Sequence, residues 1–65
     1  MTSTLALHQP LTITESDEAI LGASNSDDGA IEDAEVFDTE VRYFFESGAV
    51  GIVDRLTGAV TVKRQ

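Results

Sequence analysis

The chain has 65 residues, with 12 acidic side chains against 4 basic ones, a net charge of −8 and no cysteine. So short a chain holds one small domain, and the missing cysteine excludes a disulfide framework, a thiol nucleophile and a thiolate metal centre. The acidity disfavours direct contact with nucleic acid or an anionic membrane surface, because both need a basic face.

The first ten residues, Met1 to Pro10, hold no Lys or Arg and no long apolar core. A secretory or transit segment is therefore not expected. No apolar run approaches the roughly 18 residues of a membrane span. A cytoplasmic or virion location is the expectation. Pro10 disfavours helix in the residue before it. Leu11-Thr-Ile-Thr14 alternates and predicts a short strand at 11–14. Residues 16–22 predict one or two helical turns, with Thr14 or Ser16 as cap and Gly22 as stop. Ala23 to Gly29 is rich in Ser, Asn, Asp and Gly and reads as loop. Residues 1–35 are thus read as an extended acidic arm, and residues 36–65 as a small β meander.

The strongest local signal begins at Val36. Residues 36–46 are rich in β-branched and aromatic side chains. A helical spacing also exists through Ala34, Phe37, Val41 and Phe44, but composition and the hairpin that follows favour a strand. Ser47-Gly48 is read as a two-residue hairpin turn. Residues 49–54 return as a second strand. That register sets Phe45 opposite Val50 and Tyr43 opposite Ile52, all on one face. Asp54 to Gly58 is a second turn, in which Asp bonds the backbone ahead of it. Residues 59–64 form a third strand with Val60 and Val62 on the same face. The fold expected is mainly β, a three-stranded antiparallel meander. Its core is Phe37, Val41, Tyr43, Phe45, Val50, Ile52, Val60 and Val62. Phe44, Val53 and Leu56 are left on the opposite side.

A single apolar sheet face needs a cover. Leu5, Leu7, Leu11, Ile13, Ile20 and Leu21 of the arm can supply one, as can a second copy or a larger partner. Charge points the same way. Residues 1–40 hold ten acids and no Lys or Arg, a charge of −10. Residues 41–65 hold four cations against Glu46 and Asp54, a charge of +2, and the two together return the −8 of the chain. Such asymmetry favours contact between unlike halves of two copies.

Chemistry-bearing patterns are sparse. His8 is the sole histidine and has no nucleophile motif near it. Paired carboxylates abound, but acid–base work needs a cleft that shifts one pKa. The string Ser24 to Glu35 resembles an EF-hand calcium loop at four positions, with Asp28 fifth, Gly29 sixth, Ile31 eighth and Glu35 twelfth. It lacks acids at the first and third positions, which are Ser24 and Ser26. Asp28 and Glu35 are its weak metal candidates, and no cofactor is expected. Asp54-Arg-Leu-Thr-Gly-Ala-Val60 is similar to hairpins that close many β modules, cadherin-like and PepSY-like domains among them. That likeness spans under a dozen residues and implies turn chemistry alone.

The expectation is a non-enzymatic assembly protein that docks on copies of itself or on a larger complex, such as a small virion accessory protein. Its interaction residues are Phe37, Val41, Tyr43, Phe44, Phe45, Val50, Ile52, Leu56, Val60 and Val62. The alternative is an acidic inhibitor or nucleic-acid mimic filling a basic groove, as a phage anti-defence protein does. A third reading is an adaptor that adds an edge strand to a partner sheet.

Overall fold

A computed structural model describes residues 9–64. In chain order the elements are α1 (Ile13–Ala23), a 3-10 turn at Ser26–Asp28, β1 (Ile31–Val36), β2 (Glu40–Phe45), β3 (Val50–Asp54) and β4 (Val60–Lys63). The strands form one antiparallel sheet in the order β1-β2-β3-β4. The fold is mainly β, a four-stranded open meander with one helix against it.

The helix replaces the strand expected at 11–14 and is longer than the turns expected at 16–22. Its start is set by a capping box at Thr12. The Thr12 hydroxyl accepts from Glu15 N–H at 3.1 Å, and the Glu15 carboxylate accepts from Thr12 N–H at 2.9 Å. These reciprocal bonds satisfy donors that a helix start otherwise leaves open. They outweigh the β preference of Ile13 and Thr14. The end is at Ser24, whose N–H donates to Ile20 O, and Gly22 is passed without a break.

Much of the expected arm is therefore ordered structure. Residues 31–36 add a fourth strand, and the boundary set between 35 and 36 falls inside β1. This strand escaped the sequence reading because Glu, Asp and Ala are poor strand formers. It owes its place to backbone pairing with β2, since Ile31 alone of its six residues is even partly buried. The continuous strand expected over 36–46 is broken at 37–39. There the chain reverses, with Phe37 N–H donating to Glu40 O at 2.8 Å.

The β2–β3 hairpin also differs from expectation, by one residue. Phe44 pairs with Val50, Tyr43 with Gly51, and Arg42 with Ile52. A two-residue turn at Ser47-Gly48 of the kind hairpins prefer needs positive φ at Ser47. No described non-glycine residue has positive φ, whereas Gly48 sits at +93°. The loop therefore takes three residues, Glu46 to Gly48. Gly48 N–H donates to Phe45 O at 2.9 Å, and Phe45 N–H to Ala49 O at 3.0 Å. The extra residue in the left-handed region turns the returning strand over. A one-residue slip sends every side chain of that strand to the other face. Val50 and Ile52 thus leave the expected core, and Val53 enters it.

The core lies between α1 and the sheet. It consists of Ile20, Val41, Tyr43, Phe45, Ala49 and Val53, with Leu11, Ala19, Ile31, Val60 and Val62 packed around it. Full burial of Ile20 contributes roughly 1.5–3 kcal/mol and is the helix's main anchor. Room for it comes from Gly51, where a Cβ would run into the Ile20 Cδ1 methyl and meet Ile20 Cγ1 and Phe45 Cε2, each at 3.2 Å. Of the other side chains expected to cover the sheet, Ile13 and Leu21 are exposed. Leu5, Leu7 and His8 lie outside the described residues.

Two cationic side chains knit the ends together. Arg55 Nε donates to Leu11 O at 2.8 Å and its Nη1 to Phe37 O at 2.9 Å, joining the helix entry to the β1–β2 turn. Arg64 grips the buried Asp28 with Nε and Nη2, at 2.7 and 2.8 Å. The turn at Asp54 forms as expected. Asp54 Oδ1 accepts from Leu56 and Thr57 N–H, and Gly58 N–H donates to Asp54 O.

Candidate interaction surface

The meander separates two faces by strand parity. Val41, Tyr43, Phe45, Val60 and Val62 point toward the helix, with Val53 among them. Phe44, Val50 and Ile52 occupy the other face with Arg42 and Lys63, through the pairs Arg42–Ile52, Phe44–Val50 and Val50–Lys63. Leu56 sits exposed in the β3–β4 turn. The ten side chains expected to share one interaction surface are therefore split between a helix-covered face, a helix-free face and a turn.

The helix-free face holds a shallow concavity of about 480 Å³. Its floor is Phe44, Val50 and Ile52, all half-buried, and its rim includes Arg42, Lys63 and Arg64. Phe37 extends the apolar surface toward β1. The Arg42 guanidinium lies 5.1 Å from the centre of the Phe37 ring, within cation–π range. Arg42 is also paired with Glu40 on its own strand. Every large side chain of the central two strands on this side is thus apolar, or a charge already compensated, apart from Asp54 at the lower end.

The surface is laid out in columns. Asp33 and Glu35 of β1 stand beside Phe44 and Arg42 of β2. Val50 and Ile52 of β3 follow, and Lys63 and Thr61 of β4 close the row. One margin is acidic, the middle apolar but for Arg42, and the other margin carries one cation, Lys63, beside the neutral Thr61. Most acids elsewhere serve internal bonds. Glu15 caps the helix, Asp17 accepts from Tyr43 Oη at 2.7 Å, and Glu46 accepts from Ala30 N–H at 2.9 Å.

Asp28 is the most perturbed carboxyl. Arg64's paired hydrogen bonds, helped by Asn25 N–H, hold it below the usual carboxylate range. Both of its oxygens are thereby engaged. Glu35, the other metal candidate, is exposed on β1, on a separate element. Among the described residues no group of three or more His, Cys, Asp or Glu side chains is placed to hold a metal. On the helix side, burial first and Asp17 second push the Tyr43 phenol well above its ordinary value of 10.0. No helix among the described residues is long and apolar enough to cross a membrane.

Sequence reasoning missed the acidic margin, because it depends on β1. The signal that finds it is the 2-residue alternation of Asp33 and Glu35 beside a break at Asp38-Thr39. In comparisons with known proteins, no family model, curated protein or solved structure matches this chain.

Proposed function

We infer that this chain is a non-enzymatic protein-contact module, built to dock on copies of itself or on a larger complex. The observation that carries the reading is the helix-free sheet face. Phe44, Val50 and Ile52 form a contiguous apolar floor there, with Phe37 exposed beside it. Apolar side chains grouped on one open sheet face, with polar groups around them, are a common form of contact surface. Its ring of compensated and free charges resembles the polar rim around an interface core. The acidic-mimic reading has less support. Glu15, Asp17, Asp28, Glu40 and Glu46 are each engaged inside the fold, which leaves fewer carboxylates to imitate a phosphate row.

The test compares the wild-type chain with Ile52→Asp and Leu21→Asp, each checked for native circular dichroism. Both add one charge at an accessible apolar side chain, on opposite sides of the molecule. Associated protein, whether further copies or another chain, is read by solution mass. The reading expects Ile52→Asp to lose it and Leu21→Asp to keep it. Equal loss or equal retention in the two variants refutes it.

A further inference from the structure

We propose that the occupant of the helix-free face is a second copy of this chain, packed face to face about a twofold axis that runs parallel to the strands between β2 and β3. This rests on the contact reading above and names its partner and geometry. The argument is charge complementarity across columns. Rotation about that axis reverses the order of the strands while keeping each row in place. The acidic column of one copy then meets the column of the other that carries Lys63, and Glu35 meets the neutral Thr61. Asp33 faces the partner subunit's Lys63, and by symmetry Lys63 faces the partner subunit's Asp33. Phe44 meets Val50 across the axis, and Arg42 meets Ile52. Such a contact is isologous, so each favourable pair occurs twice.

The alternative face-to-face arrangement, about an axis across the strands, sets Asp33 and Glu35 of one copy against the same acids of the other. Like charges there oppose association. The chosen axis places acid against acid at one position alone, Glu40 against Asp54. Glu40 is paired there with Arg42, while Asp54 keeps its charge and its Oδ1 accepts from the N–H groups of Leu56 and Thr57, so this meeting is the one that opposes the arrangement. Arg42 enters the apolar middle, but it does so paired with Glu40 and stacked on Phe37. The result is an aligned sandwich with sheets about 10 Å apart. Four short strands offer less than the roughly 800 Å² per partner of a standard interface. The dimer therefore belongs to the small, transient class of contact.

The experiment is sedimentation equilibrium from micromolar to millimolar chain, with circular dichroism on each variant. Lys63→Glu sets a like charge against Asp33 and is expected to weaken the dimer at least tenfold. The double variant Lys63→Glu, Asp33→Lys restores the pairing with signs reversed and is expected to recover the wild-type constant within about threefold. Both positions are exposed, and circular dichroism checks that Asp33→Lys, which removes the acceptor of Ala34 N–H, keeps the fold. A wild-type chain that stays monomeric at millimolar concentration overturns the second copy as occupant. A dimer indifferent to Lys63→Glu, or not rescued by the double variant, overturns the axis. In either case an associated protein lost through Ile52→Asp alone still leaves the contact reading standing.

Discussion

Gly51→Ala probes the contact that seats the helix on the sheet. At an open strand position, replacing glycine stabilises by roughly 0.5–1 kcal/mol, because the unfolded chain loses freedom. Here the new methyl enters the space of the fully buried Ile20 and touches Phe45 Cε2 at 3.2 Å. Overpacking of this kind costs typically 1–3 kcal/mol. The difference is a net loss of about 0–2.5 kcal/mol, and each kcal/mol lowers Tm by about 4–8 °C in a domain this small. Ile20→Val alone removes the crowding methyl and costs about 0.5–1.5 kcal/mol as a core truncation. In the double variant the added methyl occupies the space that Ile20 vacates. Its loss should fall short of the sum of the single losses by about 1 kcal/mol, beyond the roughly 0.3–0.5 kcal/mol scatter of independent sites. The assay is urea and thermal unfolding by circular dichroism, at a concentration where the chain is monomeric. A stabilising Gly51→Ala, or strict additivity with Ile20→Val, refutes the packing of α1 over β3.

Ser16 is fully buried on the helix, and its hydroxyl has no partner among the described residues. Ser16→Ala should raise stability by about 1 kcal/mol in urea unfolding, since it removes a desolvated polar group. Tyr43→Phe should cost about 1 kcal/mol at neutral pH through the lost bond to Asp17. The raised phenol pKa in the folded state means that the Tyr43 contribution is complete below pH 10.0 and falls as pH climbs beyond it. The phenylalanine variant should therefore lose less stability than wild type between pH 10 and 11. The lowered Asp28 pKa has the opposite sign. Its contribution is present above the ordinary aspartate value of 3.8 and is lost as pH falls through and below it. Asp28→Asn should be less stable than wild type at pH 7 and show a shallower acid limb in a pH series of unfolding midpoints.

Short-range chemistry was legible from residue order alone. The Asp54-to-Gly58 turn, the strands on either side of it and the apolar face of Val41, Tyr43 and Phe45 all follow from turn preference and 2-residue alternation. Those are local properties, set by neighbours two to four positions away. The capping box at Thr12 and Glu15 was equally local and equally readable, but alternation at 11–14 competed with it. The remaining features are non-local. β1 has little strand preference of its own and exists because β2 offers it a backbone edge. The helix lies where it does because Gly51, distant in sequence, leaves space for Ile20. Arg64 and Asp28 find each other only once four strands have paired. The most consequential difference is a single residue of register at Gly48. Its left-handed backbone sends Val50 and Ile52 away from the helix and brings Val53 beneath it. Composition already required that apolar side chains be buried somewhere. Tertiary structure alone decided that some of them remain on a second face, between an acidic margin and one that carries Lys63, because which side a strand presents is set by pairing and not by its own sequence.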